Sequence, residues 1–153
     1  MQSADIRVLV RGSAEGRALV LDAPLSFWGG LEPLTGRIID RRHPQCDECV
    51  TGRVLIMSSG RGSSSSSTVL AEAIRLGTGP AAIVLEEEDA IVVLGAVVAE
   101  VLYSRIVPVV TISSINRNDL AGQPTIRIDG DSLHIDGDIN RNREGEDDAA
   151  GPS

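Results

Sequence analysis

The residues best suited to chemistry lie in one stretch, Gly60-Arg61-Gly62-Ser63-Ser64-Ser65-Ser66-Ser67-Thr68. Before it, Val54 to Ser58 is a short apolar run that reads as a buried strand. After it, Val69, Leu70, Ala73 and Ile74 fall on one face of a helix that Gly77 can stop. Strand, glycine-serine turn and helix in that order set free backbone N–H groups and several hydroxyls at a helix N-terminus. Such a place receives an anion, because the first amides of a helix lack partners and its dipole favours negative charge. A flexible Gly/Ser linker is the bland alternative, but linkers do not usually sit this tightly between two apolar elements.

A second candidate is His43, Cys46 and Cys49 at H-x-x-C-x-x-C spacing. Zinc and iron–sulfur sites usually take four protein ligands, and there is no further Cys pair. His134 lies far along the chain. A metal site competes here with a solvated loop carrying two incidental thiols, and the expectation is that this chain holds no metal. Phe27 and Trp28, directly before Gly29-Gly30, are two of only three aromatic residues. They read as a lid or partner-interface wedge, or equally as a core plug under a loop.

Composition narrows the classes. The formal charge is −8 and the pI near 4.7, which argues against nucleic acid as a partner. All 14 basic residues are Arg, so a Schiff-base lysine, a pyridoxal-phosphate lysine and a P-loop lysine are excluded from this chain. Aromatics make up 2%, so the core must be built from Val, Ile, Leu and Ala. Its longest apolar run, Ala90 to Ala99, is short of the roughly 20 residues of a membrane span. The N-terminus lacks a charged leader and apolar core, so the expectation is a cytoplasmic protein with no membrane partner.

The elements that must position the turn follow in order. Ile6 to Val10 and Glu15 to Leu21 read as two strands joined by a turn, and Leu34 to Asp40 as a further short strand. Ala81 to Leu85 is a buried strand ending in the acidic loop Glu86 to Asp89. Residues 90–103 are β-branched yet long and apolar all round, which suits a buried helix, with Glu100 at the rim beside Arg105. Val107 to Ile112 is a strand, and Asp129-Gly130-Asp131 turns a closing hairpin. From Gly137 onward the chain reads as an acidic disordered tail. The domain is then 1–136 with a tail of 137–153, and the fold class is α/β, a three-layer β/β/α domain of mixed sheets.

From about Arg7 to about Ile135, these segments resemble the small, swivel-domain subunit of the aconitase X family. The likeness is carried by SFWGGLEPLTGRIIDRRHP, TGRVLIMSSGRGSSSSSTVLAEAI and PAAIVLEEEDAIVVLGAVVAEVLY. The resemblance implies a swivelling β/β/α domain that closes over a large subunit carrying an iron–sulfur cluster or iron. The equivalent turn of aconitase is G-x-G-S-S-R-E, where a serine is the catalytic base; here serines replace the Arg-Glu. It implies Ser63 as proton acceptor, with Arg61, Gly62, Ser64 and Ser65 around a small carboxylate substrate. Members with a serine run resemble cis-3-hydroxy-L-proline dehydratase, whereas phosphomevalonate dehydratase subunits carry a turn of the form K-G-S-T-x-G-S-Y. The implied activity is a hydro-lyase working only with its large subunit. A non-catalytic anion-binding or regulatory module is the alternative from another class.

Overall fold

The structure is a computed structural model that describes residues 2–113, 120 and 122–136; the proposed tail, 137–153, lies outside them. One eight-stranded sheet runs in the order β1-β10-β9-β3-β6-β7-β8-β2. At its centre lie β3 (Ser13–Val20), β6 (Val54–Met57), β7 (Ala82–Leu85) and β8 (Val109–Ile112), mutually parallel. The flanks are antiparallel: β2 (Ile6–Val10) beyond β8, then β9 (Thr125–Asp129), β10 (Ser132–Asp136) and β1 (Gln2–Ala4) beyond β3. Because β1 and β2 occupy opposite edges yet are separated in the chain by Asp5 alone, those edges must approach one another. The sheet therefore curls into a half-barrel.

The central strands read as continuous apolar runs because both of their faces are covered. Leu55, Met57, Ile83, Leu85 and Val109 point into one core with Leu70, Ile74, Val92, Ala96 and Ala99 of the helices. Val54, Ile56, Val84 and Val110 point into the other with Ile126, Ile128 and Leu133 of the antiparallel arm. Antiparallel arm, central strands and helices are the three layers expected.

The helices are α2 (Ser65–Leu76) and α3 (Ala90–Tyr103). Gly77 stops α2 in the left-handed conformation, φ 83°, and Asp89 caps α3 by accepting from the N–H groups of Ile91 (2.9 Å) and Val92 (3.1 Å). At the crossing, a Cβ on Gly95 would lie 3.0 Å from Leu70 and from the Ser67 carbonyl, so glycine sets how closely the helices approach. Outward, α2 carries Glu72 and Arg75, joined by paired hydrogen bonds (2.8 and 2.7 Å), whereas α3 presents Leu94, Val97 and Val101 to solvent.

Several local expectations change. β2 and β3 do not pair with each other: β2 joins β8, and β3 lies between β6 and β9. Gly16 serves packing, since its missing Cβ makes room for the Gly52 carbonyl. The strand expected over 34–40 shrinks to β5 (Arg37–Ile38), paired with β4 (Leu31–Glu32). Glu100 is exposed and forms no ion pair with Arg105.

Candidate functional site

The serine turn leaves the carboxyl end of β6, beside the Glu86–Asp89 loop that leaves β7. In open sheets of parallel strands this is where ligands bind. Loop and turn are tied together: the Glu86 and Glu87 amides donate to the Ser58 carbonyl (3.1 and 3.0 Å). Gly60 lies against Asp89, where a Cβ would come within 2.9 Å of Oδ2, and Arg61 N–H donates to the Leu25 carbonyl (3.3 Å). Gly62 has φ +100°, a conformation that costs a side-chain-bearing residue but not glycine.

Helix α2 starts inside the serine run, and the serines differ sharply. Ser63, Ser64 and Ser65 are exposed. Ser63 Oγ accepts from the Ser65 amide (3.2 Å) while its own O–H makes no protein contact among the described residues. That incoming N–H stabilises negative charge building on the Ser63 oxygen. Among the described residues, the amides of Gly62, Ser63 and Ser64 donate to no protein acceptor, so they stand open at the N-terminus of a 12-residue helix.

Ser66 is different: it is 2% exposed. Its Oγ accepts from Trp28 N–H (3.0 Å) and lies 3.4 Å from Ser26 Oγ. Ser67 O–H turns back onto the Ser64 carbonyl (2.7 Å). Neither Ser66 nor Ser67 caps the helix; the hydroxyl that answers a first-turn amide is that of Ser63.

A small recess of about 40 Å³ opens beside the turn, lined by Leu25, Phe27, Gly60, Arg61, Gly62, Ser66, Asp89, Ile91 and Val92. Room of this size admits a water or two, so a substrate needs further walls. Arg61 and Gly62 thus share the recess, and Ser63, Ser64 and Ser65 form the outer part of the same turn. The expected exposed aromatic pair splits. Phe27 is 1% exposed and belongs to the helix-side core, so of its two readings it is the core plug and not the interface wedge; Trp28 is 60% exposed. The split follows from α1 (Phe27–Gly30), a single turn in which Trp28 (ψ 115°) and Gly29 (φ 80°) leave helical geometry and send adjacent side chains apart. Sequence reasoning missed Ser26, Ser66 and Asp89.

The His43 segment is a largely exposed loop pinned by one buried side chain, with Cys46 half-buried and Cys49 exposed. His43 is buried, its Nε2–H donates to the Ala23 carbonyl (2.9 Å) and its Nδ1 accepts from Gln45 N–H (3.0 Å), which occupies both ring nitrogens. Cys49 Sγ donates to Thr51 Oγ1 (3.2 Å). Among the described residues no three His, Cys, Asp or Glu side chains converge on a point where a metal could sit. The residues present therefore do not fit an iron–sulfur cluster or an iron ion.

Residues 3–136 match the family model of the aconitase X swivel domain. The chain belongs to that family. The swivel domain is 43% identical over 129 residues to cis-3-hydroxy-L-proline dehydratase of Pseudomonas aeruginosa, covering 84% of this chain but only 22% of that enzyme. It is 39% identical over 130 residues to the phosphomevalonate dehydratase small subunit of Pyrococcus furiosus, covering 85% of this chain and 91% of that subunit. Among solved structures, aconitase X of Thermococcus kodakaraensis (holo-form) superposes with a TM-score of 0.75 at 27% identity, covering 88% of this chain and 98% of that one. No helix among the described residues is long and apolar enough to cross a membrane.

Proposed function

We propose that this swivel domain is the small-subunit half of an aconitase X-type dehydratase that removes water from cis-3-hydroxy-L-proline, with Ser63 as the proton acceptor. The observation that carries the proposal is the turn itself. Ser63 stands exposed beside open amides at the start of a helix, its oxygen already receiving the Ser65 N–H. The amides of Gly62 and Ser64 and the Arg61 guanidinium suit a substrate carboxylate and the negative charge that grows when the adjacent carbon loses its proton. Ser65 completes the cradle. Ser63 takes that proton as its alkoxide, which the Ser65 N–H and the open amides stabilise, and becomes the neutral hydroxyl. The electron pair left on the carbon forms the double bond as hydroxide departs from the neighbouring carbon to an acid supplied by the large subunit.

The charged residues around the recess are Arg61 and Asp89, one of each sign. This pairing favours a zwitterionic amino acid over a phosphate ester, and the serine run points the same way. Phosphomevalonate dehydration is the second reading, favoured by the nearly complete coverage of that small subunit. The recess is too small to enclose either substrate, and the exposed Trp28 together with Leu94, Val97 and Val101 of α3 gives a large subunit apolar surface to rest on. Iron–sulfur or iron chemistry belongs in this reading to that large subunit. The compartment proposed is the cytoplasm.

The test is turnover of cis-3-hydroxy-L-proline and of phosphomevalonate by the chain reconstituted with its large subunit. General-base catalysis is worth about 10²–10⁴-fold, so Ser63→Ala should lose that much kcat with little change in KM. It should cost only about 0.5–1 kcal/mol of stability, through the lost bond to the Ser65 amide. Equal, mild losses in Ser63→Ala and Ser67→Ala would reduce the run to an anion cradle and favour the non-catalytic binding module.

A further inference from the structure

Ser66 joins parts of the site that the chain keeps far apart. Trp28 N–H donates to Ser66 Oγ (3.0 Å), and Ser26 O–H donates to the Trp28 carbonyl (3.0 Å). A carbonyl can only accept, so the single proton of Ser26 is committed there. The remaining 3.4 Å contact between the serine oxygens must then run from Ser66 O–H to Ser26 Oγ. Trp28 N–H to Ser66, Ser66 to Ser26, and Ser26 to Trp28 C=O make a closed ring with every donor used once.

The ring touches the turn in two places. Ser66 N–H donates to the Ser63 carbonyl (3.0 Å), so the residue that holds Trp28 by its side chain holds Ser63 by its backbone. Gly62 rests on the ring: a Cβ there would strike Ser26 Oγ and lie 2.9 Å from Ser26 Cβ and 3.7 Å from Ser66 Oγ. Among the described residues Ser66 is one of only two buried polar side chains, His43 being the other. A hydroxyl buried this completely and bonded this fully specifies geometry.

We propose that Ser66 is the positioning residue of the site, its ring with Ser26 and Trp28 coupling the exposed tryptophan segment to the Ser63 turn. The role in turnover rests on the dehydratase reading; the coupling does not. Whatever engages the Trp28 segment then acts on the Ser63 turn through two serines, Ser66 by its bond to the Ser63 carbonyl and Ser26 by its packing against Gly62, and release of the ring lets the turn drift.

Trp28 is the only tryptophan, so its fluorescence reports this segment alone. In the full chain, Ser66→Ala and Ser26→Ala should each lower Trp28 anisotropy, while Ser67→Ala should not. By NMR, Ser26→Ala, which opens the ring from its far side, should move the amide resonances of Ser63 and Ser64, and should move them less in the Ser66→Ala background, where the ring is already open. In the reconstituted enzyme, Ser66→Ala and Ser26→Ala should each lose about 10–100-fold in kcat, the penalty of a small misplacement, with KM little changed. The double variant should lose no more than either single one. Ser26 is only half-buried, so Ser26→Ala opens the ring even if Ser66→Ala fails to fold. Unchanged anisotropy with unchanged amide coupling overturns the ring, whatever the activity. A lowered melting temperature with kcat intact overturns the positioning role. If the wild-type pair turns over neither substrate, the dehydratase reading fails while the fluorescence and NMR arms still decide the coupling.

Discussion

Gly62→Ala is the substitution whose cost the structure constrains best. Gly62 sits at φ +100°, where an alanine pays about 1–3 kcal/mol in backbone strain. The new methyl would also collide with Ser26 Oγ and stand 2.9 Å from Ser26 Cβ. Rotating χ1 moves the Ser26 oxygen but not its Cβ, so the backbone at Ser26 must yield and at least one ring hydrogen bond goes, at about 1 kcal/mol. The total is about 2–4 kcal/mol. At about 2–4 °C per kcal/mol for a domain of this size, the melting temperature should fall by roughly 5–15 °C. Gly52→Ala is the control: Gly52 has φ +71° but no atom within 4 Å of the added Cβ, so only the conformational cost of about 1–2 kcal/mol applies. Calorimetry and urea denaturation followed by far-UV circular dichroism would measure both. Equal losses in the two variants would refute the packing of the turn on Ser26, and with it the reason glycine is needed at this position.

Two further outcomes follow from the same geometry. Asp89→Ala removes the acceptor of two first-turn amides and should cost about 1–2 kcal/mol, most of it restored in Asp89→Ser, by urea denaturation. Phe27→Ala should cost about 3–5 kcal/mol as a core deletion, whereas Trp28→Ala should change stability by no more than about 0.5 kcal/mol and instead weaken binding of the large subunit in titration calorimetry.

How legible the fold is depends on how locally each element is determined. β6, β7 and β8 can be read directly, because strands covered on both faces must be apolar throughout. Helix α3 can be read despite its β-branched residues, since a 14-residue stretch broken only by Glu100 exceeds what one of these short strands needs. The pairing of β2 and β3 is a different matter. Both have strand patterns, yet nothing between Val10 and Ser13 says that their neighbours lie near residues 109 and 127. Strand β1 is shorter still, a three-residue piece without a usable pattern, and its place is set by β10 at the far end of the domain.

The site shows the same limit at smaller scale. Gly60 and Gly62 after a buried strand mark a turn, so Arg61 to Ser65 can be found from residue types alone. The serines themselves cannot be sorted by type, because five identical side chains occupy consecutive positions. Helical phase narrows the buried position to Ser66 and Ser67. Carrying the buried stripe of α2 back from Ala73 and Leu70 reaches Ser66, the serine with the core at its back. Ser63 lies before the helix and faces solvent; Ser67, in phase with Ala71 and Ile74 at the other side of the stripe, is half-buried and bonds its own backbone. A polar residue on a buried stripe must find a partner, and Ser66 finds it in the N–H of Trp28, which as a first-turn amide has no acceptor within its own helix. The break in helical geometry at Trp28 and Gly29 sends Phe27 inward and Trp28 outward, so the aromatic pair and the serine run, which look like separate motifs in the chain, are two sides of one packed corner.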